Sequence, residues 1–200
     1  LTFYTGLKLL GDSVPALLYV VQNDSLILMG TGDPSFLNPD IPESSVLKFL
    51  ETRKEKLFYL QPAEEEKYFG PGWSWDDYNS YYSVERTSFP IYGNRVNFVL
   101  SSGQELEAFP KRFQDSLITK SNSPFSSPGI RRAMNNNSFI YTPYTSGRDL
   151  NQNIPFKYSS ELLVNLLSDT LGREVKILRE FDISGKQINM LYSIPADSMY

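Results

Sequence analysis

Both tryptophans of this 200-residue chain fall within Gly70-Pro71-Gly72-Trp73-Ser74-Trp75-Asp76-Asp77-Tyr78, with Tyr81 and Tyr82 close behind. Glycine and proline exclude a regular helix at the start of this stretch, so the chain turns there. A turn carrying two indoles and two carboxylates can wall a pocket, setting flat apolar faces beside an edge that attracts cations. The same residues also suit a tryptophan pair packed into a domain seam, with Asp76 or Asp77 capping the next element.

Ser45-Val46-Leu47-Lys48 matches Ser-x-x-Lys. One helical turn at that spacing sets the lysine amine beside the serine hydroxyl, where a neutral amine can deprotonate it. The motif lies on a predicted amphipathic helix whose outer face carries Glu43, Glu51, Arg53 and Lys54, so a solvated Lys48 is the simpler expectation. No Ser-x-Asn, Lys-Thr-Gly or Lys-Ser-Gly accompanies it. Tyr92-Gly93-Asn94 fits a Tyr-x-Asn variant of the second of these but reads better as a turn before a strand. Gly30-Thr31-Gly32-Asp33-Pro34 lacks the lysine and the glycine spacing of a phosphate loop. It reads as a strand-ending turn, with Asp33 bonding nearby backbone N–H groups. Asp33, Asp76 and Asp77 are the acids a metal-dependent hydrolase would need.

The chain has no cysteine and no histidine. Disulfides, thiol nucleophiles, imidazole bases and Cys or His metal ligands are thereby absent within it. Hydrolysis would have to run on serine, lysine or carboxylate chemistry. A formal net charge of -4 with scattered basic residues gives no footprint for nucleic acid. Arg131-Arg132, one of the few basic pairs, is expected to be a solvated strand edge. No apolar run approaches the roughly 18 residues of a membrane span.

The elements that must position these residues follow from periodicity. Phe3, Leu7 and Leu10 share a helical face, stopped by Gly11-Asp12. The chain thus opens in mid-helix, as expected of a segment of a longer protein. Ala16–Val21 and Ser25–Met29 flank Asn23-Asp24 as a hairpin. A helix over 44–53 and a strand over Lys56–Leu60 make an α/β unit. From Arg86 the texture changes to short alternating stretches broken by Ser, Asn, Gly and Pro, an all-β middle. Ser159-Ser160 starts the clearest helix, carrying Leu163, Leu166 and Leu167, and Gly172 stops it. Strands return at Val175–Leu178 and Ile188–Ile194. The expected fold class is therefore α/β (α+β), with an α/β part over 1–90 and 157–200 and a β-rich part over 91–156 inserted in it.

The order of the motifs resembles the class C low-molecular-mass penicillin-binding proteins, the D-Ala-D-Ala carboxypeptidase/endopeptidase family, and most of all its Bacteroidetes members. Gly30-Thr-Gly32-Asp33-Pro34-Ser-Phe36 is similar to that family's Gly-x-Gly-Asp-Pro-x-Leu/Phe. Gly72-Trp73-Ser-Trp75-Asp76-Asp77 is similar to its Gly-Trp-x-Trp-x-Asp. Tyr92-Gly93-Asn94-Arg95-Val96 resembles the strand that follows, and Ser193-Ile-Pro195-Ala-Asp197-Ser198 the strand running into the second catalytic motif. The resemblance implies a Rossmann-like α/β accessory domain with a nested β-rich subdomain, lying between a Ser-x-x-Lys just before Leu1 and a Ser-x-Asn soon after Tyr200. It makes Ser45 and Lys48 a decoy and the segment itself non-catalytic.

By the same resemblance the parent protein is a periplasmic serine peptidase. Its partners are the peptidoglycan stem peptide, the transpeptidase-like domain of the same chain and a possible second copy of itself. Trp73, Asp76, Asp77 and Tyr81 are the expected substrate contacts, a carboxylate meeting the ammonium of diaminopimelate beside an indole. No cofactor or metal is expected. The alternative is a non-enzymatic relative that binds peptidoglycan or protein through its aromatic surface.

Overall fold

The structure is a computed structural model that describes residues 2–41, 45–63, 67–101, 104–120, 127–144 and 148–195. The Glu64-Glu65-Glu66 run, Glu43 and residues 196–200 of the last motif lie outside the described residues. Along the chain, α1 (Thr2–Leu10), β1 (Pro15–Gln22), β2 (Ser25–Gly30), α2 (Ser45–Thr52) and β3 (Lys56–Leu60) come first. Then follow β4 (Arg95–Leu100), β5 (Glu107–Phe109), β6 (Leu117–Thr119), β7 (Gly129–Arg132), β8 (Phe139–Thr142) and β9 (Leu150–Pro155). The chain closes with α3 (Ser160–Leu171), β10 (Val175–Leu178) and β11 (Asn189–Tyr192). The result is a mixed α/β protein.

The chain divides into two units. The first holds Leu1–Tyr68, Arg86–Gly93 and Ser159–Tyr200; the second holds Phe69–Glu85 and Asn94–Tyr158. The stretch Phe69–Glu85, which the sequence reading places in the α/β part, clusters with the β-rich unit.

The first unit is built on one sheet of order β10-β3-β2-β1-β11. β1 and β2 form the expected hairpin: Gln22 pairs with Ser25 across a two-residue loop, and Asn23 takes φ 53, as such tight loops require. β2, β3 and β10 run parallel, with α2 crossing from β2 to β3 and α3 leading into β10. Leu26, Ile27 and Leu28 of central β2 are all buried, the mark of a strand covered on both faces. α3 is capped at both ends as its sequence predicts. Ser159 Oγ accepts from the Leu162 N–H at 3.1 Å, and Gly172 closes the helix at φ 62. Leu163, Val164, Leu166 and Leu167 bury its inner face.

The second unit has two three-stranded sheets, β5-β4-β9 and β6-β8-β7. Its core is a chain of rings: Phe98 on Phe139 at 5.0 Å, Phe139 on Phe113 at 5.7 Å and Phe113 on Phe156 at 5.4 Å. Each is fully buried, worth about 1.5–3 kcal/mol in transfer from water. Side-chain amides stitch the rest. Gln152 pairs with both backbone groups of Ile130 (2.9 and 3.0 Å), and Asn137 with both of Lys157 (2.6 and 2.8 Å). Gln114 spans the Ala108 N–H and the Leu106 carbonyl. Primary amides supply a donor and an acceptor side by side, so each replaces one rung of a missing strand neighbour. This explains why so polar a stretch of sequence holds a fold.

Candidate functional site: an exposed aromatic and acidic segment

The segment Gly70–Tyr82 begins as a type II turn. Pro71 and Gly72 are its central residues, Gly72 sits at φ 78, and the Trp73 N–H returns to the Gly70 carbonyl at 3.2 Å. A Cβ at Gly70 would stand 2.9 Å from Nε1 of Trp73, whose indole lies across it, so a larger residue there would displace the ring. The Trp73 ring meets Phe69 edge-on at 6.1 Å. A single-turn helix, Trp75–Asn79, follows. Asp76 and Asp77 lie in its first turn and do not cap it as expected. Ser74 takes the capping position without a side-chain bond, and its hydroxyl donates instead to Asp76 Oδ1 at 2.6 Å.

The inner side of this helix is fixed to β7. Asn79 Oδ1 accepts the Arg132 N–H at 2.6 Å, and Asn79 Nδ2 donates to the Arg132 carbonyl at 3.3 Å. The Tyr78 ring lies under the Arg132 guanidinium at 5.2 Å. Arg132 is 3% exposed, so the solvated edge expected for it is corrected; Arg131 next to it points out. The Arg132 guanidinium donates to the carbonyls of Pro155, Ala133, Met134 and Asn136. Burial pulls its pKa down and the buried Glu85 carboxylate works against that pull. Glu85 is itself held, its Oε2 accepting the Tyr158 N–H at 2.8 Å.

The outer side is free of such packing. Trp75 is 72% exposed, Tyr81 63% and Tyr82 61%, with Tyr81 and Tyr82 set edge to face at 5.5 Å. Asp76 is exposed and Asp77 half-buried. Trp73, Asp76, Asp77 and Tyr81 thus share one surface stretch of the second unit, where rings and carboxylates meet solvent together. Sequence reasoning missed Tyr78, Asn79 and Arg132, which hold the stretch in place; the only local signal was a polar residue on each side of a tyrosine.

The other candidates have structural occupations. Ser45 Oγ donates to the Tyr192 carbonyl at 3.1 Å, and Lys48 is exposed on α2. Asp33 is buried in the first unit, its Oδ1 accepting the Ser35 N–H at 2.7 Å, as the turn reading expects. Among the described residues no three Asp or Glu side chains gather as a metal site would need. Asn94 is buried, at φ 50, with its amide donating to the Glu85 carbonyl at 2.9 Å, a structural turn.

Fold and segment together define a two-unit mixed α/β protein that displays an aromatic and acidic surface. No protein-family model matches the sequence, and a search of curated proteins finds no match. Solved structures do match. The chain is similar to penicillin-binding protein 4 of Haemophilus influenzae, with a TM-score of 0.63 and 17% identity over 99% of this chain and 50% of that one. A structure of that protein complexed with a novel β-lactam matches with a TM-score of 0.51 and 14% identity, over 98% of this chain and 49% of that one. The chain spans about half the length of the structures it matches. At this identity the likeness is one of fold, and it agrees with the accessory-domain fold class expected from the motifs.

Proposed function

We propose that this chain is the accessory portion of a penicillin-binding serine peptidase of the D-Ala-D-Ala carboxypeptidase/endopeptidase type, and that it shapes the substrate cleft without carrying the catalytic groups. The observation that carries the reading is the fold shared along nearly the whole chain with half of a penicillin-binding protein. The Ser45 hydroxyl is given to the Tyr192 carbonyl, which supports reading this Ser-x-x-Lys as a decoy. In the parent, a serine of the neighbouring transpeptidase-like domain attacks a peptide carbonyl of the stem peptide, and water releases the acyl-enzyme. The setting is the periplasm; among the described residues no helix is long and apolar enough to cross a membrane.

In this reading Gly70–Tyr82 forms one wall for the stem peptide. Trp73 and Tyr81 offer flat faces, and Asp76 or Asp77 meets the free ammonium of a diaminopimelate side chain. A fluorescent penicillin labels the full-length protein and leaves the 200-residue segment unlabelled. In the full-length protein, Asp76→Asn with Asp77→Asn lowers turnover of peptides bearing the free amine and spares those with the amine acetylated. An unchanged ratio between the two peptides refutes the substrate wall, and labelling of the segment alone refutes its non-catalytic role.

A further inference from the structure

A second site candidate lies in the other unit, at the carboxyl ends of the parallel strands β2, β3 and β10. A crevice of about 710 Å³ opens there, within the range of small-molecule pockets. Open α/β sheets bind ligands at this end, because the loops that follow the strands converge on it. Nucleotides are the usual occupants, but here the glycine loop that would receive a phosphate is occupied by the chain itself. The loop after β2 is closed: a Cβ on Gly30 would meet the Ser88 carbonyl oxygen at 2.3 Å, and the Gly32 N–H is already given to that oxygen at 2.6 Å.

What remains is a crevice with an apolar floor, Met29 and Leu60, beside the ring of Phe181. Its rim carries both signs of charge, Arg179 against Glu180 and Asp182. Backbone and hydroxyl bonds from Ser184 hold the Asp182 carboxyl below its ordinary value, so it stays an anion. Arg179 is only loosely engaged, 3.8 Å from Glu161 with both side chains exposed. Gln61 lines the same crevice. Its backbone N–H is spent on Leu178, and its side-chain Oε1 is sealed from solvent, out of a ligand's reach.

We propose that this crevice binds a small zwitterion with an apolar side chain, an amino acid or dipeptide, its ammonium toward Asp182 and its carboxylate toward Arg179. A ligand of a single charge sign would leave half of the rim unmatched. The crevice lies within the first unit, and the proposal does not rest on the peptidase reading.

The test titrates the full-length protein with alanyl-leucine by calorimetry, alongside the N-acetylated and C-amidated forms. Acetylation, amidation, Asp182→Ala and Arg179→Ala each weaken binding about five-fold, the reach of a screened surface charge. No heat with alanyl-leucine, or affinity indifferent to acetylation and to Asp182→Ala, overturns the proposal. Binding lost in the Trp73→Ala variant and kept in Arg179→Ala assigns the dipeptide to the aromatic segment and overturns it as well.

Discussion

Asn79 pairs through its side-chain amide with both backbone groups of Arg132, accepting at 2.6 Å and donating at 3.3 Å. β7 lies at the edge of its sheet, and alternate residues of an edge strand present unpaired N–H and C=O groups. Gln152 covers Ile130 and Asn79 covers Arg132, two residues apart on the same edge. The edge is thereby sealed, and the helix that carries the aromatic segment is tied to the core of its unit. Asn79→Ala leaves both groups of Arg132 without their partner. The expected cost is about 1–3 kcal/mol in urea unfolding, with a change in tryptophan fluorescence as the segment loosens. Asn79→Asp keeps the acceptor but sets a carboxylate oxygen against the Arg132 carbonyl, so it does not restore the pair.

Arg132 is the second anchor. Its guanidinium reaches four carbonyls and the Tyr78 ring from a buried position. Arg132→Ala strips the donor from the buried Pro155 carbonyl and from three part-buried ones, and leaves Lys157, 3.8 Å away, as the cation facing the buried Glu85. A loss of about 3 kcal/mol or more follows, read by thermal unfolding. Arg132→Lys does not restore it, because one ammonium cannot reproduce a planar fork of donors.

What the sequence revealed of this fold follows the range of the interactions. Ser159, Gly172 and the leucines between them specify α3 within a dozen residues, and Asn23-Asp24 marks the hairpin by its own turn chemistry. Such signals are local, and periodicity reads them. The place of Phe69–Glu85 is set by Asn79 on Arg132, 53 residues apart, and by Glu85 on Tyr158, 73 apart. No spacing rule encodes those contacts. The aromatic and acidic types at Trp73 to Tyr81 were legible, since unusual side chains announce themselves. Their outward face was not, because exposure depends on Tyr78 and Asn79 taking the inward one.

Two glycines separate a backbone requirement from mere composition. A Cβ at Gly30 would stand 2.3 Å from the Ser88 carbonyl oxygen, a backbone atom that cannot step aside. Gly30→Ala costs about 1–3 kcal/mol, as overpacking does. Gly6 lies inside α1 with nothing within 4 Å of its Cβ position. Gly6→Ala raises stability by up to about 1 kcal/mol through helix propensity. Melting temperatures of the two variants move in opposite directions.

Acid sensitivity has a local source at Glu55. Its own backbone N–H, then Arg53 and the Lys54 N–H, hold the carboxyl below its ordinary 4.5, against the opposing effect of burial. A depressed carboxyl stabilises the fold above its unfolded value, and that contribution is lost as pH falls through the folded one. Glu55→Gln is therefore less stable than the parent at pH 7. The gap closes as pH drops below 4.5, which unfolding curves taken across that range will show.

Tyr81 and Trp73 decide whether the aromatic segment is packing or a binding surface. Trp73 leans on Phe69 and crosses Gly70, so Trp73→Ala loses both stability and any substrate contact. Tyr81 is 63% exposed and touches Tyr82 edge to face. Removing an exposed ring shifts stability by no more than about 0.5 kcal/mol. If the ring faces a stem peptide, Tyr81→Ala in the full-length protein lowers kcat/KM about ten-fold, the loss of a modest contact residue. Seam packing predicts the reverse pattern, a lower melting temperature with unchanged turnover. Measured together on one preparation, unfolding and turnover of Tyr81→Ala leave only one of the two roles standing.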